Sequence, residues 1–186
     1  MTFKTWLAVC AVLVPLGAQA GGSLDIALSN TSVRLEHEAV RVGSGAHITT
    51  GLAYSEDNQA YAFSAGFNAV DATMANRELI GGIGFKGFLF DAGEPGFALG
   101  VGGFLRWQPD FMNGLGTEAQ LYYAPDILSF GDVVAFQEVI ARVTYKVLPQ
   151  ARVFVGWHDI AGYYRDTTGG PSRIDNTFNV GFRMNY

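Results

Sequence analysis

Apolar residues return at every second position along nearly the whole chain. One parity carries Leu24, Ile26 and Leu28; Val33 and Leu35; Ala46, Ile48, Thr50, Leu52 and Tyr54; then Tyr61, Phe63, Ala65 and Phe67. It continues through Leu79, Ile83, Phe85 and Leu89; Phe97, Leu99, Val101, Leu105 and Trp107; and Leu115, Thr117, Ala119, Leu121 and Tyr123. Val139 to Val147, Ala151 to Trp157 and Phe178 to Tyr186 complete the series. A period of two is that of a strand with one apolar face. Turn chemistry separates the runs at residues 29–31, 43–45, 56–58, 91–95, 109–110, 148–150 and 168–171. No run has a helical period and no second composition block interrupts them, so one all-β sheet is predicted. Ten runs predict ten antiparallel strands, an even number that brings both ends of a single-chain barrel to one side. The first two runs fall short of the roughly nine to eleven residues of a tilted spanning strand. If they merge into one bent strand and another pair does likewise, eight strands result.

The opposite parity decides which way the apolar face points. It carries Asp25, Arg34, Glu36, Lys86, Arg106, Glu118, Gln120, Glu138, Arg142, Lys146, Arg152, Asn179 and Arg183 among many glycines. In a soluble barrel these would face water; in a membrane barrel they fill the lumen. Alternating the strand directions puts Tyr54, Tyr61, Tyr123 and Trp157 toward one end of the barrel and Trp107, Tyr145 and Tyr186 toward the other. Two aromatic girdles with aliphatic residues between them favour an up-and-down transmembrane β-barrel over a soluble one. The same alternation sets Leu148-Pro149-Gln150 as a tight inner turn and residues 124–132 and 165–173 as longer outer loops. Residues 70–78 form an inner connection longer than that scheme expects.

The first twenty residues stand apart from this pattern. Lys4, the apolar stretch from Trp6 to Leu16 and Ala18-Gln19-Ala20 read as a secretory signal peptide cleaved after Ala20, leaving residues 21–186 as the barrel. Export through the general secretory pathway to a bacterial outer membrane is the expected route. Cleavage removes Cys10, the chain's one cysteine, and with it any thiol, disulfide or cysteine-metal chemistry. It leaves 11 Lys and Arg against 17 Asp and Glu, a net charge of −6 with no basic run, which argues against nucleic acid as a partner. No later stretch has the 18 or so apolar residues in a row of a membrane-spanning helix.

The stretch LYYAPDILSFGD (121–132), followed by ARVTYKVLPQARVFVGW (141–157), resembles the YfaZ family of outer-membrane proteins, as does DIALSNTSVRL (25–35). The resemblance covers the whole mature chain. It implies an outer-membrane β-barrel of a Gram-negative bacterium and no activity.

Candidate chemistry is sparse. Gly82-Ile-Gly-Phe-Lys-Gly87 matches GxGxxG, but a strand-like Phe88-Leu89-Phe90 follows where a nucleotide site needs a helix. The glycines are better explained as interior positions that make room for neighbouring side chains. His47 and His158 face inward and His37 lies near a strand end; none is spaced from a serine nucleophile, and no His/Asp/Glu cluster has metal-ligand spacing. Glu36 with Glu38, and Glu56 with Asp57, read as solvated strand and loop ends. Neither an enzyme nor a cofactor is expected.

What remains is the lumen and the outer face. Arg106, Arg142 and Arg183, with Glu118 and Glu138 as partners, predict a mixed-sign network filling a narrow lumen. Lys146 should oppose Arg152 across the turn at Pro149, at a wet rim. Pro125, Ile127, Leu128 and Phe130 make an apolar outer loop, either a contact surface for lipid, lipopolysaccharide or protein, or a flap folded over the barrel mouth. Two functions fit: a closed barrel with a structural or surface-binding role, and a narrow porin-like channel for small solutes. Phe178, Val180, Phe182, Met184 and Tyr186 resemble the terminal signal read by the barrel assembly machinery, which with outer-membrane lipid is an expected partner of a monomeric protein.

Overall fold

The computed structural model describes residues 21–41, 45–70, 78–165 and 170–186. The signal peptide, Cys10, Gly43-Ser44, most of the 70–78 connection and part of the 165–173 loop lie outside these described residues. Among them, no helix is long and apolar enough to cross a membrane.

The chain forms β1 (Gly21–Leu28), β2 (Ser32–Arg41), β3 (Ala46–Ser55), β4 (Ala60–Val70), β5 (Leu79–Asp91) and β6 (Pro95–Trp107). It continues with β7 (Leu115–Ala124), the two-residue β8 (Ser129–Phe130), β9 (Val133–Leu148), β10 (Ala151–Tyr164) and β11 (Ser172–Asn185). Each long strand pairs antiparallel with the next, β7 pairing with β9, and β1 pairs with β11 to close the ring. The barrel therefore has ten strands; β8 extends the line of β7 along the end of β6. The eight-strand alternative fails because β1 and β2 are separate and fully paired, Leu28 opposite Val33. The turn between them is fastened by Ser29, whose Oγ accepts the Ser32 amide at 2.9 Å.

We call the end carrying Gly21 and Tyr186 the base and the opposite end the top. Burial alternates as the sequence pattern requires. On β4 the even residues Ala60, Ala62, Ser64, Gly66 and Asn68 point in, while Tyr61, Phe67 and their parity point out. Large apolar side chains such as Ile48, Ile83, Val101, Leu121, Val155 and Phe178 are exposed on the outer wall. Tyr54, Tyr61 and Tyr123 stand exposed near the top, and Trp107, Tyr145 and Tyr186 near the base. An apolar wall between two aromatic belts is the outer surface of a transmembrane β-barrel.

Ten strands enclose more space than eight, and glycines opposite large side chains let that space be filled. A Cβ on Gly82 would come within 2.7 Å of both Phe104 and Val70, and one on Gly100 within 3.1 Å of Phe88 and 3.2 Å of Tyr122. Gly82 and Gly100 thus serve packing, which is the role expected for the glycines of the GxGxxG stretch.

Candidate functional site

The lumen has two storeys. In the top half, inward positions of β3 to β11 supply Ala53, Ala60, Ala62, Phe88, Phe90, Ala98, Phe136 and Ile160 to one apolar cluster. Phe136 is fully buried, its ring 4.4 Å from Phe88 and 4.6 Å from Phe90, and Tyr122 and Tyr164 close edge-on against Phe88 and Phe90. The hydroxyls of these tyrosines are satisfied, Tyr122 donating to Asn68 Oδ1 at 2.6 Å and Tyr164 to the Glu94 carbonyl at 2.7 Å. This aromatic plug departs from a lumen filled by charges throughout. Its residues have inward parity in the sequence, and only their common depth, set by strand register, shows that they meet.

Beneath the plug lies the ionic network. Arg183 donates Nε and Nη2 to the two Asp25 oxygens at 2.6 and 2.7 Å, and Nη1 to Glu118 Oε1 at 2.6 Å. Arg142 Nη1 reaches Asp25 Oδ2 at 2.6 Å and stands 3.9 Å from Glu118. Lys86 Nζ donates to Glu138 at 2.8 Å and to Glu36 at 3.2 Å, and Arg34 pairs with Glu36 and, at 3.5 Å, with Glu138. Nearer the base, Arg106 donates to Glu38 Oε2 at 2.8 Å while His47 Nδ1 bonds Glu38 Oε1 at 2.7 Å.

All five predicted lumen residues, Arg106, Glu118, Glu138, Arg142 and Arg183, are in this network, but their partners differ from expectation. Glu138 serves Lys86 and Arg34 rather than the three arginines. Glu36 and Glu38 are not solvated strand ends: both are buried, because Arg34, Lys86, Arg106 and His47 reach them from their own and neighbouring strands. Asp25, Arg34 and Lys86, whose inward parity the sequence shows, belong to the same set. Glu56 and Asp57 do stand exposed at the top. Asp25, Glu36, Glu38, Glu118 and Glu138 face Arg34, Lys86, Arg106, Arg142 and Arg183, five carboxylates for five cations.

Little space is left between these groups. The cavity beside Glu36, Arg106, Glu118 and Arg183 measures about 10 Å³, as does that beside Arg34, Ser64, Phe88 and Glu138. Each is at the lower limit for one water molecule.

A family model described as YfaZ precursor matches residues 7–185. The chain belongs to the YfaZ family. No curated protein matches it in sequence. Among solved structures, the outer membrane channel DcaP of Acinetobacter baumannii is similar at 7% identity and a TM-score of 0.45, over 87% of this chain and 54% of that one. The chain thus spans about half the length of that channel. A KdgM porin is similar at 12% identity and a TM-score of 0.45, over 89% of this chain and 99% of that one.

The histidines of this YfaZ protein are held by structural partners. His158 and Asp175 share a buried hydrogen bond, Asn179 Nδ2 lies 3.1 Å from His158 Nδ1, and Thr177 donates to Asp175 Oδ1 at 2.9 Å. Both ring nitrogens of His158 are therefore engaged by neighbouring side chains. His37 Nε2 meets the Tyr186 hydroxyl at 2.5 Å on the outer wall at the base. Among the described residues, no group of three or more His, Cys, Asp and Glu side chains is placed to hold a metal ion.

At the top, the outer-loop residues divide. Leu128 packs against the lumen cluster, Phe130 lies tilted against Phe97 with ring centroids 5.1 Å apart on the outer wall, and Ile127, 85% exposed, projects alone. The loop is anchored as a flap at the mouth, with one apolar residue left outward.

Proposed function

We propose that this protein is a closed outer-membrane barrel, a structural or surface-binding element with no reaction of its own, its base toward the periplasm and its top toward the exterior. The observation that carries this reading is the filled lumen: an aromatic plug over a charge-balanced network, with the two cavities between their described residues each about the size of one water. A solute would have to displace Phe88, Phe90 and Phe136, whose rings are buried against one another, and then break buried ion pairs. The exposed apolar wall supports contact with membrane lipid, and Ile127 on its anchored flap is the point the top offers to lipopolysaccharide or a protein.

Planar-bilayer recording tests the reading. The purified protein is expected to give no resolved single-channel steps. Discrete steps whose size changes in Glu138→Gln or Arg142→Gln would establish a narrow channel instead. Cell fractionation checks the location: recovery of the protein wholly in the soluble periplasmic fraction would overturn it.

A further inference from the structure

Among the described residues, two cations at the base, Lys146 and Arg152, stand outside the charge-balanced network. Arg152 directly faces Lys146 on β9 and Arg183 on β11, so three basic residues lie side by side across three strands. Directly opposed residues have Cβ atoms about 4.5–5.5 Å apart, and like charges there are destabilising. Arg183 is neutralised by Asp25 and Glu118. Among the described residues, Lys146 and Arg152 form no ion pair, and Arg152 Nη1 is buried with no acceptor. Glu78 and Asp110, the acidic residues of the described base loops, make no salt bridge with either; Glu78 instead accepts the Asp110 amide at 3.1 Å.

The arrangement is built into the strand geometry. Register shifts between Ala151 and Arg152, whose partners are Leu148 and Lys146, so that Val147 is bulged out. Without that bulge Val147 would oppose Arg152, and Lys146 would fall on the other face of the sheet; bulges commonly re-aim a side chain in this way. Two residues up β9 on the same inward face sits Thr144. It is 2% exposed, and its hydroxyl is also without a partner.

We propose that Lys146, Arg152 and Thr144 form an anion site in the base mouth of the barrel that takes a tetrahedral phosphate, as inorganic phosphate or as a phosphate monoester. A dianion matches two uncompensated cations, and its tetrahedral oxygens offer acceptors in several directions. A carboxylate brings one charge and acceptors in one plane. The site does not depend on whether the barrel conducts, since it lies at the base end of the lumen, level with Arg183.

The test uses the whole mature chain folded in detergent micelles, titrated at constant ionic strength with inorganic phosphate, glycerol 3-phosphate and acetate, with ³¹P line broadening and competition as readouts. Saturable phosphate binding is expected, at least fivefold weaker in K146Q and in R152Q, with acetate at least fivefold weaker than phosphate on the unaltered protein. Tighter binding of glycerol 3-phosphate assigns the site to monoesters, and weaker binding assigns it to inorganic phosphate. Absence of saturation, equal binding by both variants, or equal competition by acetate would refute the site. Lys146 is exposed, so K146Q remains informative even if R152Q does not fold.

Discussion

At the scale of single residues the lumen charges matter through their pairing. Replacing a buried ion pair by apolar groups is often neutral, whereas removing one partner leaves a charge uncompensated and costs about 3–5 kcal/mol. Asp25 holds both Arg142 and Arg183. Asp25→Ala is therefore expected to lower the unfolding free energy of the detergent-folded barrel by an amount in that range, and its urea midpoint with it, whereas Glu56→Gln at the exposed top changes stability by no more than about 0.5 kcal/mol. Equal midpoints for the two variants in urea titration would show the network to be solvated. Phe136 is the matching case in the upper storey: Phe136→Ala is expected to cost about 3–5 kcal/mol by the same measurement, because its ring is fully buried between Phe88 and Phe90. Inward parity identified the charged members of the lumen from the sequence. It could not separate Glu36 and Glu38 from a solvated end, because their burial depends on cations up to 68 positions away.

At the scale of the strands, the β1–β11 seam joins what the chain separates most. Gly22 and Tyr186 exchange two backbone hydrogen bonds of 3.0 Å, and the Tyr186 ring passes over Gly22 to reach His37 on β2. We propose that the alternating terminal strand from Phe178 to Tyr186 directs assembly. Tyr186→Ser is then expected to lower the yield of compact, heat-modifiable barrel without altering signal cleavage. Tyr186→Phe, which keeps the ring and loses only the hydrogen bond to His37, should assemble normally; failure of both to the same degree would assign the effect to that hydrogen bond. Packing between strands gives a second expectation. Gly82→Ala forces a methyl group against Phe104 and Val70 and should cost about 1–3 kcal/mol in the same urea assay, whereas Gly87, with nothing closer than 3.8 Å, should accept alanine at little cost.

At the scale of the molecule, the proposal is that a barrel of this width is closed by what fills it: an apolar, buried upper storey and a lower one whose charges pair with one another. On that reading, opening a path requires change in both storeys. The double variant Phe88→Ala, Phe136→Ala is expected to remain non-conducting in bilayers while the network beneath is intact, and to conduct only when Glu138→Gln is added. Conductance in the double variant alone would identify the plug as the sole barrier.

Strand positions, their inward and outward faces, the girdle aromatics and the glycines that make room could all be read from the chain by itself. Side-chain direction in a strand is a local property with a period of two, and turn residues mark where each strand ends. The strand count was nearly determined, the short opening runs leaving it between eight and ten. Depth and partnership, by contrast, come from the folded barrel alone. Asp25 meets Arg183 across 158 residues, Lys86 meets Glu36 across 50, and Phe88, Phe90 and Phe136 gather at one level. Those meetings depend on how the register of every strand accumulates around the closed ring, which no local pattern contains.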